Sequence, residues 1–103
     1  MNIDNVGIKE KQVEIELDKQ IVLKFMKEKR TKRTYIFGLH HFLNDDEIAT
    51  LCNRIKKNLG TGHLINTEGN IVSHGFQGEH IKTIYEFLIK EKIAPPNKIK
   101  QMN

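Results

Sequence analysis

Tryptophan is absent from this 103-residue chain, cysteine occurs once, and the two prolines are adjacent at Pro95-Pro96. A single cysteine excludes an intramolecular disulfide and fits a reducing compartment. It also excludes the Cys-x-x-Cys pairs of structural zinc sites, and the five histidines offer no His-x-x-x-His on one helix face. No metal site and no cofactor are therefore expected. Long apolar runs are missing as well: Ile84-Tyr85-Glu86-Phe87-Leu88-Ile89 is broken by Glu86, far short of a membrane span. The first eleven residues lack the apolar stretch of a signal peptide. These absences predict a soluble, cytoplasmic, monomeric protein with no membrane partner. A hydrophobic fraction of 38% supports one core.

Charge is unevenly placed. Residues 61–80 contain no Lys or Arg, whereas Ile21 to Thr34 holds six cations against one acid. One basic focus on a near-neutral body suits a partner that presents phosphates at one place. No amphipathic helix with a basic polar face accompanies it, which disfavours a lipid surface.

Hydrophobic periodicity divides the chain. Residues 1–19 read as an N-terminal tail in which Val13, Ile15 and Leu17 alternate with Glu14, Glu16 and Asp18. Residues 20–103 read as one domain. Ile21, Leu23 and Phe25 alternate before the basic segment, and Thr34 to Phe37 alternate after it. This predicts a hairpin whose long, mobile loop lies between Lys27 and Arg33. Asn44 is placed to cap a helix, with acids in its first turn and Glu47 at the capping-box position. Ile48, Leu51, Cys52, Ile55 and Leu59 follow at helical spacing, and Gly60 ends the helix. Short strands over 61–66 and 70–74 surround a Thr67-Glu68-Gly69 turn. Gln77-Gly78-Glu79 then leads into a second helix with Ile81, Ile84, Tyr85, Leu88 and Ile89 on one face. Pro95-Pro96 blocks its continuation, and Ile99 opens a short last strand. The order hairpin, helix, hairpin, helix, strand predicts an α+β fold: a two-layer αβ sandwich with both helices on one face of a mixed sheet.

Three segments in this order resemble a known family. Lys32-Arg33-Thr34-Tyr35-Ile36-Phe37-Gly38-Leu39, then Lys56-Lys57-Asn58-Leu59-Gly60-Thr61-Gly62, then Phe76-Gln77-Gly78-Glu79-His80 are similar to eukaryotic translation initiation factor one and its archaeal relatives. The resemblance runs from Ile21 to the C-terminus. It implies the αβ sandwich, binding to the small ribosomal subunit beside the peptidyl site, and accurate start-codon selection by restraining initiator tRNA accommodation. It also implies company with other initiation factors. By position, the rRNA-binding residues are Lys27, Lys29, Arg30, Lys32 and Arg33 of the loop, with Arg54, Lys56 and Lys57 of the first helix. The loop facing initiator tRNA is Asn66, Thr67, Glu68, Gly69 and Asn70. The sequence departs from the family pattern at Glu79, where an Asp is usual, at Gly60-Thr61-Gly62, where Cys-x-Gly is common, and after Ile99-Lys100, where His-Gly-Phe is missing.

The remaining conspicuous side chains read as structural. Tyr35 and Phe37 share a strand face and could stack bases, but packing under another element, such as the 13–17 segment, is the favoured reading. Cys52 lies on the apolar helix stripe and reads as a small core residue rather than a nucleophile or a ligand beside His40, His41 or His63. No nucleophile, base and orienter can be grouped, and Gly60-x-Gly62 lacks the Lys-Ser/Thr of a phosphate loop. No enzyme is expected. The alternatives to an initiation factor are a re-initiation factor or a general RNA-binding module of the same fold. The re-initiation type carries a Cys-rich zinc segment before this domain, and the chain has none.

Overall fold

Alternation of apolar and polar residues builds the first hairpin, β1 (Ile21–Glu28) and β2 (Thr31–Phe37). The computed structural model describes residues 19–102, so the alternating segment at Val13 to Leu17 lies outside the described residues. Gly38 and the short 3-10 turn Leu39–His41 lead to α1 (Asp45–Leu59). Strands β3 (His63–Glu68) and β4 (Ile71–Gln77) form the second hairpin, and α2 (Ile81–Lys90) follows. A 3-10 turn at Pro96–Lys98 delivers β5 (Ile99–Met102). The five strands lie in the order β3-β4-β2-β1-β5. All neighbours are antiparallel except β1 and β5, which run parallel, so the sheet is mixed as expected.

The helix boundaries follow their local chemistry. The Asn44 side chain accepts from the Glu47 N–H at 2.8 Å, and Glu47 accepts from the Asn44 N–H at 2.9 Å, closing the capping box. Gly60 ends α1 in the left-handed conformation, with its N–H on the Lys56 carbonyl. At α2 no side chain of the N-cap His80 closes the end, but Glu79 accepts from the Ile81 N–H at 3.2 Å.

One core lies between the helices and one face of the sheet. Ile21, Leu23, Ile36 and Phe76 supply the sheet side, with Leu51, Cys52, Ile55, Ile84 and Leu88 from the helices. Removing each large aliphatic from water contributes about 1.5–3 kcal/mol, far more than the intrinsic propensity of either helix. Among the described residues no helix is long and apolar enough to cross a membrane.

The opposite face is partly covered too. Tyr35 is only 4% exposed, with Gly75 directly across the β2–β4 pair. A Cβ at Gly75 would lie 2.8 Å from the Tyr35 ring, so glycine is required for the ring to lie flat on the sheet. The packing reading of Tyr35 is therefore correct.

Both hairpin tips are tighter than the sequence suggests. The first is a two-residue turn at Lys29-Arg30, with Glu28 paired to Thr31, so Lys27, Lys32 and Arg33 are strand residues and the expected long loop does not form. Lys29 takes a left-handed φ of 51°, a conformation that usually calls for Gly or Asn. The second tip is Gly69-Asn70, because Glu68 pairs with Ile71. Strand β4 also runs to Gln77, three residues past the expected end at His74.

Candidate nucleic-acid interface

The basic hairpin is longer than the strands that flank it. Pairing of β1 to β5 covers only Ile21 to Lys24, and pairing of β2 to β4 begins at Arg33. Among the described residues, Phe25 to Lys32 therefore forms a two-stranded ribbon that no other strand flanks. It carries Lys27, Lys29, Arg30 and Lys32 against the single acid Glu28, and all four cations are exposed. Lys27 and Lys32 are directly opposite each other in the register, and Arg33 faces Met26. Like charges in such a cross-strand pair destabilise a hairpin. The ribbon thus keeps a repulsion that a polyanion would relieve.

The C-terminal end of α1 meets the base of this ribbon. Beyond Lys56, Lys57 and the Gly60 cap, the Thr61 hydroxyl donates to the Gln77 carbonyl at 3.3 Å. Gln77 pairs with Arg33, and the next residue, Gly78, donates its N–H to the Lys32 carbonyl at 2.7 Å. Seven of the eight expected RNA-binding cations thus lie on two elements joined there, Lys27, Lys29, Arg30, Lys32 and Arg33 on the hairpin and Lys56 and Lys57 in the last turn of α1. That junction depends on the Gln77 to His80 turn, which no charge count could reveal.

Arg54 is differently engaged. Its guanidinium contacts the Glu91 carboxylate at 2.6 Å and lies 5.4 Å from the centre of the Phe87 ring. The hydrogen bond from Arg54 holds the Glu91 carboxyl below its ordinary range. Arg54 is a link between the two helices, and its charge is locally compensated.

The five residues expected to face tRNA do not form one loop. Asn66, Thr67 and Glu68 are in β3, and only Gly69 and Asn70 make the turn. The β2–β4 pairing stops at Phe37 and Ser73, so this tip projects from the end of the sheet opposite the basic ribbon. Ile65 and Ile71 beside it are 62% and 61% exposed.

A cleft of about 540 Å³ lies between α1 and the second hairpin, lined by residues that include Ile48, Asn53, Lys56, His63, Val72 and His74. The sequence gives no sign of it. His63 Nε2 and His74 Nδ1 are 3.0 Å apart, and the His63 ring also stacks on Phe76 at 5.0 Å. Burial lowers the affinity of both rings for a proton, and the Lys56 charge lowers that of His63 further. Beneath them Cys52 is 1% exposed, and burial pushes its thiol up to about 12. A thiol held protonated in this way is no nucleophile, which agrees with its reading as a core residue. Cys52, His63 and His74 nonetheless come together, a grouping that local spacing could not reveal. Two of them come from strands paired across a hairpin and the third from a helix.

No protein-family model matches the chain, and no curated protein matches it in sequence.

Proposed function

We propose that the chain is a non-enzymatic translation initiation factor that docks on the rRNA of the small ribosomal subunit. In this reading it restrains initiator tRNA until a start codon pairs. The observation that carries it is the two-stranded ribbon, with Lys27 facing Lys32 and the Lys56-Lys57 end of α1 at its base. A rigid two-stranded arm holds its cations at fixed spacing without the ordering cost a loose loop would add. Four exposed cations on one ribbon favour phosphates over any neutral partner. The resemblance of the three segments directs the choice of polyanion towards rRNA. Docking by charge is salt-sensitive and reversible, which suits a factor that must leave once the codon has paired.

The test is binding to purified small subunits across a salt series, with large subunits and bulk RNA of equal length as competitors. Neutralising about five phosphates gives a slope of log K against log salt of roughly −3.5 to −4.5. Lys27→Glu with Lys32→Glu flattens that slope and lowers affinity. In cells the same variant raises near-cognate initiation relative to AUG when the protein replaces a host's own factor. Equal affinity for bulk RNA and small subunits would favour a general RNA-binding module, and a salt-independent affinity would remove the electrostatic reading altogether.

A further inference from the structure

We propose that Cys52, His63 and His74 form a binding site for a zinc-class divalent cation at the floor of the cleft between α1 and the second hairpin. The ligand atoms of the three residues, one sulfur and two ring nitrogens, all lie within 4.8 Å of one another. Tetrahedral zinc asks for about 3.3 Å between two ring nitrogens and about 3.6 Å between nitrogen and sulfur. The two nitrogens already stand 3.0 Å apart, close to that spacing. The sulfur needs a side-chain adjustment of about 1 Å at most to complete such a set.

The donor set decides the class of ion. One thiolate with two imidazoles suits zinc and its first-row neighbours, whereas calcium and magnesium need oxygen. The surroundings fit as well. His63 is held by stacking on Phe76 and on His74, so its ring is already oriented. Both rings favour the neutral, ligating form at neutral pH. A divalent ion deprotonates a coordinating thiol outright, which removes the obstacle that burial places on Cys52. His63 and His74 line the cleft while Cys52 lies behind them, so the cleft is the entry route and the fourth position opens toward it. Lys56 at the cleft wall opposes the ion. Such a site adds a direct tie between α1 and the β3–β4 hairpin to the core packing around Phe76. It shares Lys56 with the proposed RNA-binding surface but none of its three ligands, so it does not rest on the ribosomal reading.

The experiment uses the full chain, reduced and stripped with chelator, then titrated with Co²⁺ and back-titrated with Zn²⁺. One equivalent of Co²⁺ should give a thiolate-to-cobalt charge-transfer band together with the visible bands of a tetrahedral ion, and Zn²⁺ should abolish both. Cys52→Ser removes the charge-transfer band. His63→Gln, at a half-buried position that tolerates an amide, weakens binding at least ~100-fold, as loss of a direct ligand exceeds the loss of an outer partner. His40→Gln, which alters a histidine that lines the same cleft but is not one of the three ligands, leaves the charge-transfer band in place. A readout that needs no variant is NMR of the wild-type rings: Zn²⁺ must shift His63 and His74 and leave His80, outside the cleft, in place. Absence of the thiolate band in the wild-type protein overturns the proposal. Binding that leaves His63 and His74 unshifted and survives both Cys52→Ser and His63→Gln overturns it equally.

Discussion

The Thr34 hydroxyl donates to the Gly78 carbonyl at 2.8 Å, joining residues 44 apart in the chain. The same oxygen accepts from the His80 N–H at 2.8 Å. Thr34 is fully buried at the base of the basic ribbon, so one hydroxyl pins the turn that enters α2 to the strand that carries the cations. Thr34→Val keeps the shape and leaves a carbonyl and an N–H without their partner. The expected loss is about 1–3 kcal/mol, seen as a lower urea midpoint with an unchanged slope. A midpoint equal to wild type would show that the turn is held by the Gly78 to Lys32 bond alone.

Gly78 itself has a φ of 103°, and a Cβ there would stand 2.6 Å from His80 Nε2. His80 Nε2 in turn lies 2.9 Å from the Gln77 carbonyl. Gly78→Ala must therefore strain the backbone and displace the His80 ring together. Its cost should exceed about 1 kcal/mol, the lower end for a residue held in a sparsely populated conformation. Ala at Gly62, where nothing lies within 4 Å of an added Cβ, is the matched control and should leave the melting temperature in place.

At the ribbon tip the demands of fold and function separate at a single residue. Lys29 occupies a left-handed conformation that costs a side chain roughly 1–2 kcal/mol. Glycine returns part of that gain as chain entropy, about 0.5–1 kcal/mol. Lys29→Gly should then raise stability slightly, by up to about 1 kcal/mol, while making the salt slope of RNA binding shallower by about 1. Thermal and chemical denaturation beside a salt titration measure the two effects on one sample. A drop in stability would mean that the Lys29 side chain makes a folding contact of its own.

Lys56 and Lys57 sit in the last turn of α1, where each also favours the helix dipole by about 0.3–1 kcal/mol. Lys56→Gln with Lys57→Gln should cost no more than about 2 kcal/mol in stability, twice the upper single-charge figure, and clearly weaken small-subunit binding. Arg54→Gln should weaken it less than either lysine change alone, because its guanidinium is already engaged by Glu91 and Phe87. The opposite ranking would return Arg54 to the interface.

Local chemistry made the helices and the order of elements along the chain legible. Asn44, Glu47 and Gly60 mark α1 by groups that act within one turn, and Ile21, Leu23 and Ile36 mark a half-buried hairpin by alternation alone. The first tip differs from the expected loop because a two-residue turn usually calls for Gly or Asn, and Lys29 accepts the strained conformation instead. The β3–β4 boundaries slipped because Asn66, Thr67 and Glu68 are polar residues held in a strand by pairing rather than by burial. The convergence of Lys56-Lys57 on the ribbon, and of Cys52 on His63 and His74, arises from contacts between distant segments. A pattern of residue types along the chain carries no record of such contacts.

The histidine pair also sets an acid limit on the metal-free fold. His63 and His74 hold protons less readily folded than unfolded, chiefly because burial disfavours the charged ring. The unfolded chain therefore binds more protons below the ordinary histidine value of 6.5, and stability must fall as pH drops through that value toward the folded pKa of each ring. Above it the pair has no further effect. The 3.0 Å contact needs one unprotonated nitrogen as acceptor, so a first proton can be shared and a second cannot. In chelator-treated protein, urea midpoints should be flat from about pH 8 to 7 and decline as pH falls below the ordinary histidine value of 6.5. His63→Gln should flatten the decline, since an amide offers a partner to His74 and takes no proton. A decline of equal steepness in that variant would assign the acid sensitivity to groups outside the pair.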